Sequence, residues 1–257
     1  MKVVIFCGGL GLRMGATSTR VPKPMITVGD RPILWHIMKY YASFGHYDFT
    51  LCVGHKGDVI ERYFRSYEQS ADNDSDGPRW SITFADTGRE TVIGQRLKAA
   101  EPYIGGDEIF LATYGDGLTD APLPKLIDRL VESGKVGVFL AAHPTAVFHI
   151  VTFDEAHVVR SLVDITKAGV WQNAGFFVFR REIFDYINEG EDLVDEPLHR
   201  LIAEEKLVAY PYEGFWEPMD TLKDKQKLDA LAASPRPPWQ VWENGDTESI
   251  RPIAAED

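Results

Sequence analysis

Cysteine is scarce: Cys7 and Cys52 are the only two in 257 residues. Both lie inside apolar runs, so they read as small buried hydrophobes in a reducing compartment and not as a disulfide framework. Positive charge is short as well. Lys and Arg number 27 against 39 Asp and Glu, a net charge of -12. That excludes the basic face that non-specific nucleic-acid or anionic-membrane binding needs. No apolar run reaches the roughly 18 residues of a membrane span. Met1-Lys2-Val3-Val4-Ile5-Phe6-Cys7 runs into glycine too early for a secretion signal, so a cytoplasmic protein is expected. The histidines show no H-E-x-x-H spacing and no nearby cysteine, which argues against zinc, and His36 reads as a core group. What is present suits a globular chain long enough to bury a sizeable core.

Apolar and polar blocks alternate along the first half. Val3–Cys7 is an unbroken apolar run bounded by glycine, the pattern of a buried parallel strand. Pro32–Phe44 carries apolar residues at 33, 34, 37, 38 and 41, a helical spacing, with Pro32 at the entry and Gly45 at the exit. Further strands are expected at Phe49–Val53, Trp80–Ala85, Ile109–Tyr114 and Val136–Ala142. Helices are expected between them at Val59–Tyr67, Gln95–Ala100 and Leu123–Ser133. This alternation with short links implies βαβ units and a mostly parallel sheet in one α/β domain over residues 1–242. After His143 the rhythm changes. Phe148–Phe153 and His157–Ile165 read as hairpins added to the sheet. Gly175–Phe179 and Leu207–Tyr212 read as strands, with helical segments near 181–188, at 197–205 and at Leu222–Leu231. Pro235-Arg236-Pro237-Pro238 ends regular structure, and residues 243–257 form a frayed acidic tail. Asp72-x-Asp74-x-Asp76-Gly77 matches half of a calcium loop. Thr83 stands where its bidentate Glu belongs, so a solvated loop is expected there.

Glycine collects where strands end. Gly8-Gly9-Leu10-Gly11-Leu12-Arg13 leaves the first strand. Its glycines let backbone N–H groups approach an anion, and Arg13 adds a fork of donors that fits phosphate oxygens. In a parallel sheet, ligands bind beyond the carboxyl ends of the strands, where this loop lies. G-x-x-x-x-G-K-[ST] is absent, and Met14 takes the third glycine position of G-x-G-x-x-G. A tight turn that only needs glycine is the alternative. Pro22-Lys23-Pro24 stiffens the backbone around one lysine, which limits the entropy lost on aiming its ammonium; an exposed surface lysine is the plain alternative. Asp116, in Tyr114-Gly115-Asp116-Gly117, is placed to hold Mg²⁺ on phosphate oxygens or to make an Asx turn. Asp220 directly precedes a helix, where an N-cap is the plain reading.

Taken in order, these segments resemble the sugar-1-phosphate nucleotidyltransferase family, in its branch of bacterial glucose-1-phosphate cytidylyltransferases. Also matching are Ile33-Leu34-Trp35-His36-Ile37-Met38, Asn173-x-Gly175-Phe176-Phe177, Gly214-Phe215-Trp216-Glu217-Pro218-Met219-Asp220-Thr221 and the closing Pro238-Trp239-x-Val241-Trp242. The resemblance implies a Rossmann-like single domain with a mixed, mostly parallel central sheet flanked by helices. It implies an enzyme in which a sugar-phosphate oxygen attacks the α-phosphorus of a nucleoside triphosphate, CTP in this branch, and pyrophosphate leaves. Positioning and charge neutralisation dominate such transfers, so no protein nucleophile is required. By the resemblance, Gly8, Gly9, Gly11 and Arg13 wrap the triphosphate, and Lys23 neutralises its charge. Asp116 and Asp220 hold Mg²⁺. Gly94 and Arg96 fall where the branch carries a base-reading Thr-Gly-Gly-Arg, here Ile93-Gly94-Gln95-Arg96. A homo-oligomer is implied, and the closing segment packs either on a neighbour or on the chain's own core.

The departures from the family gather on the acceptor side. Leu12 replaces a threonine of the phosphate loop. Ala146-Val147-Phe148-His149 stands where the branch has Gly-Arg-Phe-Gly beside the sugar. The family's Glu-Lys-Pro, with its Glu on the sugar and its Lys on the sugar phosphate, is replaced by Val163-Asp164-Ile165-Thr166-Lys167-Ala168-Gly169. Either Lys167 grips the phosphate there or no residue of this segment does. His149, Lys167, Asn173 and Gly175 are the expected acceptor contacts. The expected acceptor is a phosphorylated sugar or cyclitol other than glucose 1-phosphate. Transfer from UTP or dTTP is the alternative within the class, and a nucleotide-binding regulatory protein without turnover is the alternative outside it.

Overall fold

Seven strands build the central sheet of the computed structural model, which describes residues 1–9, 21–70, 78–146 and 148–243. They are β1 (Lys2–Phe6), β2 (Asp48–Val53), β3 (Ser81–Asp86), β4 (Ile109–Tyr114), β5 (Gly137–Ala142), β6 (Gln172–Arg180) and β7 (Leu207–Tyr212). Their order across the sheet is β3-β2-β1-β4-β6-β5-β7. Only β6 runs antiparallel to its neighbours, β4 and β5; the other pairings are parallel. The expected mixed, mostly parallel sheet flanked by helices is therefore present.

Both faces of the sheet are covered, which explains the unbroken apolar runs. Side chains alternate across it: Val3 and Ile5 join one core, Val4 and Phe6 the other. The first core takes buried residues of α1 (Ile33–Ser43), α2 (Gly57–Glu68) and α4 (Leu123–Ser133). The second takes α3 (Ile93–Ala100), α5 (Glu196–Ala203) and the 3₁₀ segment Arg181–Tyr186. Residues Ile33 to Ala42 of α1 are all buried, because the closing segment lies over the outer side of this helix. Trp239 has no exposed surface, donates Nε1–H to His36 Nδ1 at 3.3 Å, and leaves Trp242 edge-on to Trp35. The closing aromatic pair thus covers the chain's own core. His36 is a core group, as expected, with Nε2 3.0 Å from the Val28 carbonyl.

Two expectations need correction. The hairpin segments expected at Phe148–Phe153 and His157–Ile165 do not extend the sheet. His149–Phe153 and Val159–Asp164 pair only with each other, as a separate two-stranded ribbon. The reason is topological: β5 already has β6 on one side and β7 on the other, so no open edge is left beside it. Regular structure also resumes after the prolines, in a 3₁₀ turn at Val241–Glu243. The last helix, α6 (Leu222–Ala232), matches its spacing. The tail from 244 and the half calcium loop at 72–76 lie outside the described residues, while Thr83 falls within β3 as expected.

Candidate active site

The carboxyl ends of β1 and β4 lie side by side. Phe6 is in register with Tyr114, and the Gly115 N–H donates to the Phe6 carbonyl at 3.1 Å. Gly115 must lack a side chain here: a Cβ would come within 2.9 Å of that carbonyl and 3.2 Å of Pro24 Cγ. The close approach seats the Pro22–Met25 turn against both strand ends. Lys23–Met25 forms one 3₁₀ turn. Its lysine points inward, which sets aside the exposed-lysine alternative: Nζ donates to Asp116 Oδ2 at 2.7 Å and to Asp220 Oδ1 at 2.6 Å. Burial works against the ammonium, but the two carboxylates outweigh it and hold the Lys23 pKa above the ordinary lysine value.

Asp116 and Asp220 are 104 positions apart in the chain (220 − 116) and meet through a short ribbon. Gly117–Thr119 pairs antiparallel with Trp216–Pro218, and the Met219 N–H donates to the Asp116 carbonyl at 2.8 Å. Asp120 braces the ribbon by accepting from Tyr212 Oη at 2.7 Å and the Phe215 N–H at 2.8 Å. Asp220 does not cap α6. Thr221 does, in a capping box with Asp224. Both aspartates turn their side chains to the lysine.

Asp116 and Asp220 line a cleft of about 900 Å³. The cleft is also walled by Thr145 and Ala146, by Gln172 and Asn173, and by Glu217 and Lys227. The Asn173–Phe176 segment is a bulge in β6: the register slips between Asn173 and Phe177, and Gly175 and Phe176 both have positive φ, +76° and +49°. Gly175 could not carry a Cβ, which would fall 2.8 Å from the Tyr114 ring. Asn173 Oδ1 accepts from the Gly175 N–H at 2.9 Å, and the Ala174 carbonyl accepts from Trp216 Nε1 at 3.0 Å. The bulge therefore ties β6 to the ribbon that carries Asp220.

The expected acceptor contacts divide. Asn173 lines the cleft and Gly175 shapes it. His149 and Lys167 do not line it. His149 is exposed on the separate ribbon, and Lys167 is exposed in the 3₁₀ turn Ile165–Lys167. Their displacement follows from the ribbon standing apart from the sheet.

The expected nucleotide contacts divide too. Gly11 and Arg13, with Leu12, lie outside the described residues. Gly8 and Gly9 behave differently from each other. A Cβ on Gly8 would fall inside the Arg96 guanidinium, whereas no described residue lies within 4 Å of one on Gly9. Gly9 is exposed, so its glycine has no packing reason among the described residues. Arg96 is 2% exposed and donates to Thr87 Oγ1 at 2.6 Å and to the carbonyls of Gly88 at 2.9 Å and Gly8 at 3.1 Å. Its guanidinium is committed to holding two loops together, so it does not present itself to a base. Gly94 is required for close packing, because a Cβ would meet the Glu191 carbonyl. Burial pushes the Cys7 thiol well above its ordinary range and Cys52 up to about 12, which leaves both inert.

Sequence reasoning missed Asp120, Glu217, Lys223 and Lys227. Only the i, i+4 spacing of the two lysines after the Asp220 motif was visible, and that pattern ordinarily marks a solvated helix face.

A mostly parallel α/β sheet with a Lys–Asp–Asp cluster where the strand order reverses is the arrangement in which ligands bind beyond the strand ends. The nucleotidyl transferase family model matches residues 2–229, and the chain belongs to that family, the sugar-1-phosphate nucleotidyltransferases. A glucose-1-phosphate cytidylyltransferase of Salmonella typhi is 39% identical over 95% of this chain and 100% of its own length. The fold is shared with a UTP-bound UGPase from Acinetobacter baumannii, with a TM-score of 0.71 at 18% identity over 95% of this chain and 96% of that one. A UDP-glucose pyrophosphorylase complexed with UDP-glucose gives a TM-score of 0.69 at 13% identity over 91% and 99%.

Proposed function

We propose that the chain transfers CMP from CTP to a phosphorylated sugar or sugar-like polyol and releases pyrophosphate. The observation that carries this reading is the Lys23 ammonium between the Asp116 and Asp220 carboxylates, both of which line the cleft. An oxygen of the acceptor phosphate attacks the α-phosphorus, and the bond from that phosphorus to the β-phosphate bridging oxygen breaks. The protein contributes alignment and charge, which dominate such transfers. Lys23 stays protonated through the neutral range and offsets the charge that builds on the phosphates. No described residue crowds the exposed Gly9, which supports its contact with the triphosphate. CTP is supported by the 39% identity to a protein named for cytidylyl transfer.

The donor set fits Mg²⁺. This ion takes one or two carboxylates and completes its shell with water and substrate phosphates, and Asp116 and Asp220 supply two hard oxygen groups, each about one-third exposed. When bound there, Mg²⁺ would polarise the α-phosphate and screen two polyanions from each other.

An acceptor other than glucose 1-phosphate is part of the proposal. Its support is the altered 163–169 segment, with Lys167 outside the cleft, and the Thr145–Ala146 wall. The test is pyrophosphate release with Mg²⁺, pairing CTP, UTP, dTTP, ATP and GTP with a panel of sugar and cyclitol phosphates, with Asp116→Asn as the blank. CTP should give the highest kcat/KM, with an acceptor other than glucose 1-phosphate preferred. Preference for UTP or dTTP overturns the donor, and efficient turnover of glucose 1-phosphate overturns the acceptor. Nucleotide binding without any turnover would favour a regulatory protein.

A further inference from the structure

A phosphate monoester entering the cleft meets acids, since Asp116, Asp220, Glu217 and Asp224 all line it. Lys23 is committed to Asp116 and Asp220. Among the described lining residues the cations are Lys223 and Lys227, four apart and so on one face of α6. Lys227 is the anchored one. Its Nζ donates to Glu217 Oε2, and the Glu217 side chain is 4% exposed while that of Lys227 is 52% exposed. One end of the pair is built into the wall and the other end is open to the cleft. A buried carboxylate needs a cation beside it, and here that requirement fixes where an ammonium stands. Thr145 lines the same cleft. Lys167, the lysine that the sequence offers for this task, lies outside the cleft.

Resting on the nucleotidyl-transfer reading, we propose that Lys227 grips the acceptor's phosphate, that the buried Glu217 is its positioning residue, and that Thr145, which lines the same cleft, meets a hydroxyl of the attached polyol. The ligand class is a phosphate monoester next to a hydroxyl-bearing ring. Lys227 binds substrate directly; Glu217 acts through it.

The experiment measures KM and kcat for the preferred acceptor at saturating CTP, with CTP affinity from calorimetry. Lys227→Met should raise the acceptor KM at least about tenfold, the scale of one lost charged hydrogen bond, and leave CTP affinity within about twofold. Lys227→Arg should recover part of the loss. Glu217→Gln should raise the acceptor KM more than it lowers kcat. Glu217→Gln/Lys227→Met removes the buried carboxylate with its cation, so a folding defect in the single variant is separated from a lost grip. An unchanged acceptor KM in Lys227→Met overturns the proposal, as does a rise confined to Lys223→Met or Lys167→Met. A wild-type chain that binds no CTP and turns over no acceptor overturns the nucleotidyl-transfer reading and this inference with it. Normal turnover that is indifferent to Lys227 overturns this inference alone.

Discussion

Gly8 and Gly9 are adjacent and chemically identical, yet the structure gives them different reasons to be glycine. Gly8 makes room for the buried Arg96 guanidinium, which ties the end of β1 to the loop after β3. Gly8→Ala should therefore displace a buried hydrogen-bonded charge and destabilise the fold by about 2–4 kcal/mol, read as a lower urea midpoint. Gly9→Ala should leave that midpoint within about 0.5 kcal/mol and weaken CTP binding at least about tenfold, read by calorimetry. A Gly9→Ala variant with normal CTP affinity would remove this glycine from the site. Lys23 is the other single-residue test. Lys23→Met should lower kcat at least about a hundredfold, on the scale of one lost transition-state contact, with the circular dichroism spectrum retained.

At the level of elements, the site depends on pieces too short to read. The ribbon of Gly117–Thr119 and Trp216–Pro218 brings two aspartates to one lysine, and each of its strands has three residues. The β6 bulge at Asn173–Phe176 opens the cleft wall within what reads as an ordinary strand. The closing aromatic segment is the clearest case of an element whose sequence left two choices. Trp239 is fully buried against His36 and Phe215. Trp239→Ala should cost about 3–5 kcal/mol, the range for a large aromatic truncated in a core, measured by urea unfolding. Unchanged stability would mean that the segment does not hold α1 in place.

For the molecule as a whole, acid is the revealing perturbation. Burial holds His46 down at about 4, with the N-terminal ammonium adding to the effect and Asp107 opposing it. Burial also lowers His36, although the Val28 carbonyl and Asp30 favour its charged form. Unfolded, His46 takes up a proton near pH 6.5, so between 6.5 and 4 the unfolded chain binds a proton that the folded one does not. The contribution is complete above 6.5 and falls as pH drops, by about 2 kcal/mol at pH 5. Urea midpoints at pH 7 and pH 5 should differ accordingly, and His46→Asn should shrink the difference. An undiminished difference in that variant would place the acid sensitivity elsewhere.

The order of strands and helices was legible because both periodicities are local: Ile109–Tyr114, Leu123–Ser133 and Leu207–Tyr212 are found where their patterns put them. Lys23, Asp116 and Asp220 were legible as candidates, since prolines, glycines and a helix start frame them. What tertiary structure decided was which side chains share a space. Arg96 turned from a base reader into a buried tie because its carbonyl acceptors come from two loops far apart in the chain. His149 is absent from the cleft lining because a saturated sheet edge left its ribbon nowhere to pair, and Lys167 follows in the turn after that ribbon. Glu217 and Lys227 entered the cleft because a ribbon and a helix converge there. Each of those outcomes depends on contacts between residues far apart in the chain, which no local pattern encodes.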